Sequence, residues 1–326
     1  MRAVLAAGVV ALIVAAGVAY AVTRNGRKDG SEARGATAAG CAPVAGAGLV
    51  ALSDDKRVAR ADNILPVIRR DGVVAAVVQQ LDLVSTALDT RELAGLNRRI
   101  EADHAAPADV AQEFAAANRL TKKVDLRITY GLTIGTTGLP EQQVVAHLYR
   151  ISLEAAGYRT TVSTLADHAA LHAALTSGSV TLAPEYTGSY AAFLNDRARG
   201  EPNRFAAPEF VAQSLAYRGG ELGLSFGLAS PAAAQDVFAV SKAFADKYHV
   251  TSLDEFARAC SGTATVLGGP AECPAGYPCR QSLADVYALR AGACTELPDR
   301  GPAARAALTG GTVSLALISS SDPAFA

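Results

Sequence analysis

The chain has no tryptophan, a single methionine and only six lysines against 24 arginines in its 326 residues. Its formal net charge is −1, with no dense basic tract beyond residues 24–28. That excludes a nucleic-acid partner, because meeting a phosphate backbone takes a clustered positive surface. No Walker loop or G-x-G-x-x-G run occurs, so the local signatures of nucleotide hydrolases and dinucleotide enzymes are lacking. Metal chemistry is poorly supplied too. The cysteines form no C-x-x-C pair and have no nearby histidine, which speaks against zinc. His168 and His172 have the i, i+4 spacing of a metal-binding helix face but no third ligand. A solvated helix face is the expectation there, and no cofactor.

What is present begins with an exported architecture. Arg2 precedes an unbroken apolar run over residues 3–22, followed by a polar stretch. The run is long for a signal peptide core and just sufficient to span a bilayer. An uncleaved anchor over residues 1–22 and cleavage after Ala21 are both open, as is lipidation at Cys41. Cys41 lies well beyond the run, and Ala38 stands where a lipidation motif usually has Leu. Each route exports the remainder, so the protein belongs outside the cytoplasm, and residues 23–47 read as a Gly/Ala-rich tether. Exported cysteines meet an oxidising compartment. Besides Cys41 there are four, Cys260, Cys273, Cys279 and Cys294, within 35 residues. The short loop ECPAGYPC makes Cys273–Cys279 the expected pair and leaves Cys260 with Cys294, out of three possible pairings.

The chain is long enough for two domains of ordinary size, and its apolar patterning alternates strands with helices. Residues 49–52 and 64–68 read as strands, the second placed at a sheet edge or at a strand end by Pro66. Residues 73–118 are helical in period, with Thr90 capping one helix and Pro107 opening another. Strand candidates at 127–134, 158–162 and 180–183 flank helices at 140–157 and 166–175. Pro140 takes the first helical position and Gly157 the end. This order predicts parallel strands covered by helices. Beyond Tyr190, helices are expected at 208–217, 253–260 and 282–289, and strands at 238–240, 264–267 and 313–318.

Residues 131–188, from GLTIGTTGLPEQQVVAHLY to LAPEYTGS, resemble the opening of the glycine betaine/choline/osmoprotectant substrate-binding subunits of ABC importers. Residues 48–120, from GLVALSDDKRVARADNILPVI to VAQEFAAANRL, resemble that family's closing segment. The end stands before the beginning, so the resemblance implies an α/β, two-lobed periplasmic-binding-protein fold of type II in circularly permuted order. It places lobe I at residues 62–187 and lobe II at 48–61 plus 188–326, with Ala326 near Gly48 in space. It also implies capture of a small polar solute in the cleft, handed to ABC permease and ATPase subunits by hinge closure, with no covalent chemistry. A membrane-anchored sensor or scavenger for another small cation or a polyol is the alternative. An enzyme is disfavoured because the cleft candidates contain no His or Cys.

The resemblance also implies the contact residues. Thr136, Thr137 and Gly138 precede the helix start at Pro140, where backbone N–H groups could hold an anionic group, and Gln142 sits in its first turn. Pro184-Glu185-Tyr186-Thr187-Gly188 matches a PEYTGT-like motif, making Tyr186 a pocket wall and Thr187 and Ser189 hydroxyl contacts. Where the family places three further aromatic residues, this sequence has Asp236 (followed by Phe238), Ser319 beside Ser320, and Asp62 beside Asn63. Two aromatic walls have become carboxylates. Phe238, Tyr190 and Tyr277 are the rings that could rebuild a cage, each face contributing roughly 0.5–2 kcal/mol to holding a cation.

Overall fold

A computed structural model of the chain describes residues 39–71, 74–122, 130–197, 208–274 and 279–326. The apolar run 3–22 and Tyr277 lie outside the described residues.

Strands β2 (Ile64–Arg69), β3 (Gly131–Thr136), β4 (Arg159–Thr164), β5 (Leu182–Tyr186) and β6 (Leu224–Phe226) make one five-stranded sheet in the order β4-β3-β5-β2-β6. Strands β1 (Leu49–Ala51), β7 (Asp236–Ser241), β8 (Gly262–Gly269), β9 (Ala291–Glu296) and β10 (Leu315–Ser319) make the other, in the order β1-β7-β10-β8-β9. The first carries helices α1 (Ala75–Ala87), α2 (Thr90–Glu101), α3 (Pro107–Ala117), α4 (Pro140–Ala155), α5 (His168–Ser177), α6 (Thr187–Arg197) and α7 (Pro208–Glu221). The second carries α8 (Lys242–Tyr248), α9 (Leu253–Cys260), α10 (Arg280–Tyr287) and α11 (Pro302–Thr309).

Side-chain alternation along the strands decides the layering. In β2, Ile64 and Ile68 face a core shared with α1–α4, while Leu65 and Val67 face a second core shared with α5–α7. In β10, Leu315 and Leu317 face one core and Ala316 and Ile318 the opposite one. Successive residues of a strand point to opposite faces, so strands covered on both sides are apolar throughout. Each fully buried Ile or Leu contributes roughly 1.5–3 kcal/mol.

Four expectations need correction. Pro66 is not at an edge: β2 pairs with β5 on one side and β6 on the other. Its partner across β5 is Pro184, and on the β6 side its carbonyl accepts the Gly227 N–H at 3.0 Å, so Pro66 takes part in the ladder as an acceptor alone. The α2 cap is Asp89, not Thr90. Asp89 accepts the Glu92 N–H (2.8 Å) while Glu92 accepts the Asp89 N–H (3.0 Å), a reciprocal capping box. Residues 187–226 pack with the first sheet, because β6 pairs with β2 and α7 packs on β6. The second crossing between sheets therefore falls at 227–235 instead of at the expected lobe boundary between residues 187 and 188.

The fourth correction concerns the disulfides. Cys273 is bonded to Cys279, but Cys260 is bonded to Cys41, with Cα atoms 4.7 Å apart, and Cys294 is free. Residues 39–41 run alongside β8: Ala39 bridges Gly262 and the Cys41 N–H donates to Thr265 Oγ1 at 2.9 Å. That brings Cys41 against the end of α9, where Cys260 lies. Cys294 stands in β9 opposite Leu267, on the strand beyond. The bond leaves Cys41 no thiol for lipidation. At the other end of the chain, Phe325 packs beside Leu49 on one apolar cluster.

Candidate functional site

A cleft of about 780 Å³ opens between the two sheets. The end of β5, the start of α4, the start of β7 and the end of β10 all reach it, in keeping with the rule that ligands of open α/β sheets lie beyond strand ends. Tyr186, Asp62 and Asp236 line it, as does Ser189. The Tyr186 hydroxyl donates to Glu141 Oε1 at 3.2 Å. Asp62 accepts from the Ser189 N–H at 2.8 Å and from the Ser189 hydroxyl. Gly188 lets this happen: a Cβ there would come within 2.6 Å of the Ala61 carbonyl. Asp236 is paired with Arg300.

The structure gives the other sequence candidates structural roles. Thr136, Thr137 and Gln142 are buried. Gln142 Oε1 accepts the Thr137 N–H at 2.8 Å and the Thr137 hydroxyl at 2.5 Å, and its Nε2 donates to the Pro184 carbonyl at 2.9 Å. These three bonds tie the β3–α4 turn to β5. The neighbouring Glu141 reaches the cleft together with Leu139 and Pro140, and the Glu141 carboxylate takes its own backbone N–H. An anionic ligand group at this helix start would meet a like charge. Asn63 and Thr187 stitch the first crossing: the Asn63 N–H donates to Thr187 Oγ1 at 3.0 Å, and the Thr187 hydroxyl to the Ala61 carbonyl at 3.2 Å. The Ser320 hydroxyl donates to the Ala233 carbonyl at 2.8 Å. Phe238 and Tyr190 are fully buried in lobe cores, so neither ring faces a ligand.

Several cleft residues carry no sequence motif of their own. His168 lines the cleft with its Nδ1 3.2 Å from Oε1 of the buried Glu185, and His172 Nδ1 lies 3.0 Å from the Tyr190 hydroxyl. The α5 histidines thus face inward. On the far side, Arg305 spans the lobes, its Nη2 3.1 Å from Glu101 Oε2 in α2 and 3.2 Å from Asp322 Oδ2 beyond β10. Asn97 Nδ2 crosses the same seam to the Ser321 carbonyl at 3.0 Å.

Burial governs the ionisation of this site. It pushes Asp62 above the ordinary carboxylate range against the pull of the Ser189 donors, and Glu141 likewise against its own N–H and Tyr186. Glu185 and Asp322 are raised for the same reason, opposed by His168 in one case and by the Ala324 N–H and Arg305 in the other. Burial works to lower His168, but Glu185 outweighs it and the ring is held above its usual value. Charged forms are disfavoured by desolvation and favoured by opposite partners.

Two helix-covered sheets, two crossings and a polar cleft between strand ends define a two-lobed periplasmic-binding-protein fold. Residues 42–117 and 131–326 match the family model described as the substrate binding domain of the ABC-type glycine betaine transport system, and the chain belongs to that family. Comparison with curated proteins found no match.

Proposed function

We propose that the protein is the extracytoplasmic substrate-binding subunit of an osmoprotectant-type ABC importer. It captures one small polar solute between its lobes and presents it to membrane permease and ATPase subunits. The observation that carries this reading is the cleft itself: its walls come from both lobes, with Tyr186 and Asp62 on one side and Asp236 on the other. The lobes are joined by two crossings at 59–63 and 227–235, an arrangement suited to hinge closure around a ligand.

Thermal unfolding of the full chain in mild detergent, with choline, glycine betaine, ectoine, amino acids, amines and polyols, tests it. A solute at a hundred times its Kd adds about 2.7 kcal/mol of stability, and the Tyr186→Ala variant loses most of that gain. Stabilisation of wild type and Tyr186→Ala to the same extent would count against the cleft as the binding site.

A further inference from the structure

We propose that this cleft selects a small cation bearing N–H donors, a protonated amine or a guanidinium, over a trimethylammonium. The inference rests on the reading of the cleft as the solute site and specifies its substrate class.

Charge comes first. Seven carboxylates line the cleft against two arginines and His168, and Arg305 pairs with two of the seven, Glu101 and Asp322. The basic groups are already engaged: Arg300 by Asp236, and His168 by Glu185. Arg60, the remaining arginine of the cleft wall, acts on Asp62 through its charge alone. Asp62 and Glu141 are instead held by neutral donors, Ser189 for the first and Tyr186 with a backbone N–H for the second. A cation fits that balance, and an anion does not.

An independent observation distinguishes among cations. Asn97 lines the cleft and is 3% exposed, its Nδ2 donates to the Ser321 carbonyl, and its Oδ1 has no hydrogen-bond donor. Buried acceptors without donors are rare because they are costly. A ligand N–H removes that cost, whereas a trimethylammonium has no N–H to offer. Methylated cations rely instead on aromatic faces, and Tyr186 is the sole tyrosine, with no phenylalanine, among the described lining residues.

Calorimetric titration of the full chain with ethanolamine, its N-methyl and N,N-dimethyl forms, choline and glycine betaine tests the proposal, because the first four share one skeleton. Affinity is expected to fall with each methyl, with ethanolamine at least about 100-fold tighter than choline, since sites built to hydrogen-bond a donor reject analogues lacking it. Asp62→Asn and Glu141→Gln, near-isosteric changes whose folding is checked by melting temperature, should each weaken ethanolamine about tenfold and leave choline little changed. Affinity rising toward choline or glycine betaine overturns the substrate class while leaving the solute-binding function standing. Saturable binding of none of the five overturns both.

Discussion

At the residue scale, the sequence located the important segment but not the division of labour within it. Tyr186 was legible from its motif, and it is the wall of the cleft. Its neighbour Glu185 is fully buried with His168 beside it, a pairing set by how α5 packs on the sheet and invisible in the order of residues. Gln142 is buried while its neighbour Glu141 lines the cleft, because adjacent residues on a helix point about 100° apart. A pH dependence follows from the buried carboxylates. Asp62, Glu141, Glu185 and Asp322 all titrate above their ordinary values of 3.8 or 4.5 when folded. The folded chain therefore binds more protons than the unfolded chain as pH rises past those values, and stability falls with pH. His168 adds the same sign: its contribution is complete below 6.5 and lost as pH rises through its raised folded value. His147, held low by burial, opposes them. The ligand-free protein should melt higher near about pH 5 than near about pH 8, and Glu141→Gln should flatten the slope. A melting temperature that rises with pH over that range contradicts this account of the cleft.

At the scale of elements, strong periodicity and strong punctuation were readable. Pro107 and Pro140 open α3 and α4, because a first-turn residue needs no N–H. The misses have physical causes. Three residues of β6 are too short to show a period, so the segment from α6 to β6 seemed to belong to the other lobe. Pro66 looked like an edge or strand-end residue because its neighbours in the sheet, Pro184 and Gly227, are far away in sequence and meet it only through strand register. The Cys41–Cys260 bond spans a sequence separation of 219, and spacing cannot reveal it. Cross-links closing long loops restrict the unfolded chain most. The double variant Cys41→Ser/Cys260→Ser should therefore lose about 3–5 kcal/mol, read as a lower urea midpoint. An unchanged midpoint would mean that residues 39–46 are held by their hydrogen bonds alone, including Ser241 Oγ to the Val44 carbonyl and Ser314 Oγ to the Cys41 carbonyl.

At the scale of the whole molecule, two α/β lobes were legible because the blocks resembling the family are long, although resemblance alone did not tell which sheet each strand joins. The two ends of the described domain are neighbours, with Phe325 packed beside Leu49. The central claim is that one solute is held by both lobes at once. Hydrogen exchange of the full chain, with and without saturating ethanolamine, measures this directly, because slowed exchange reports backbone held more tightly. The account predicts slowed exchange on both sides of the cleft: at 182–190 and 139–143 in the first lobe, and at 233–238 and 319–322 in the second. Protection confined to one lobe, or lying outside the cleft, would contradict it.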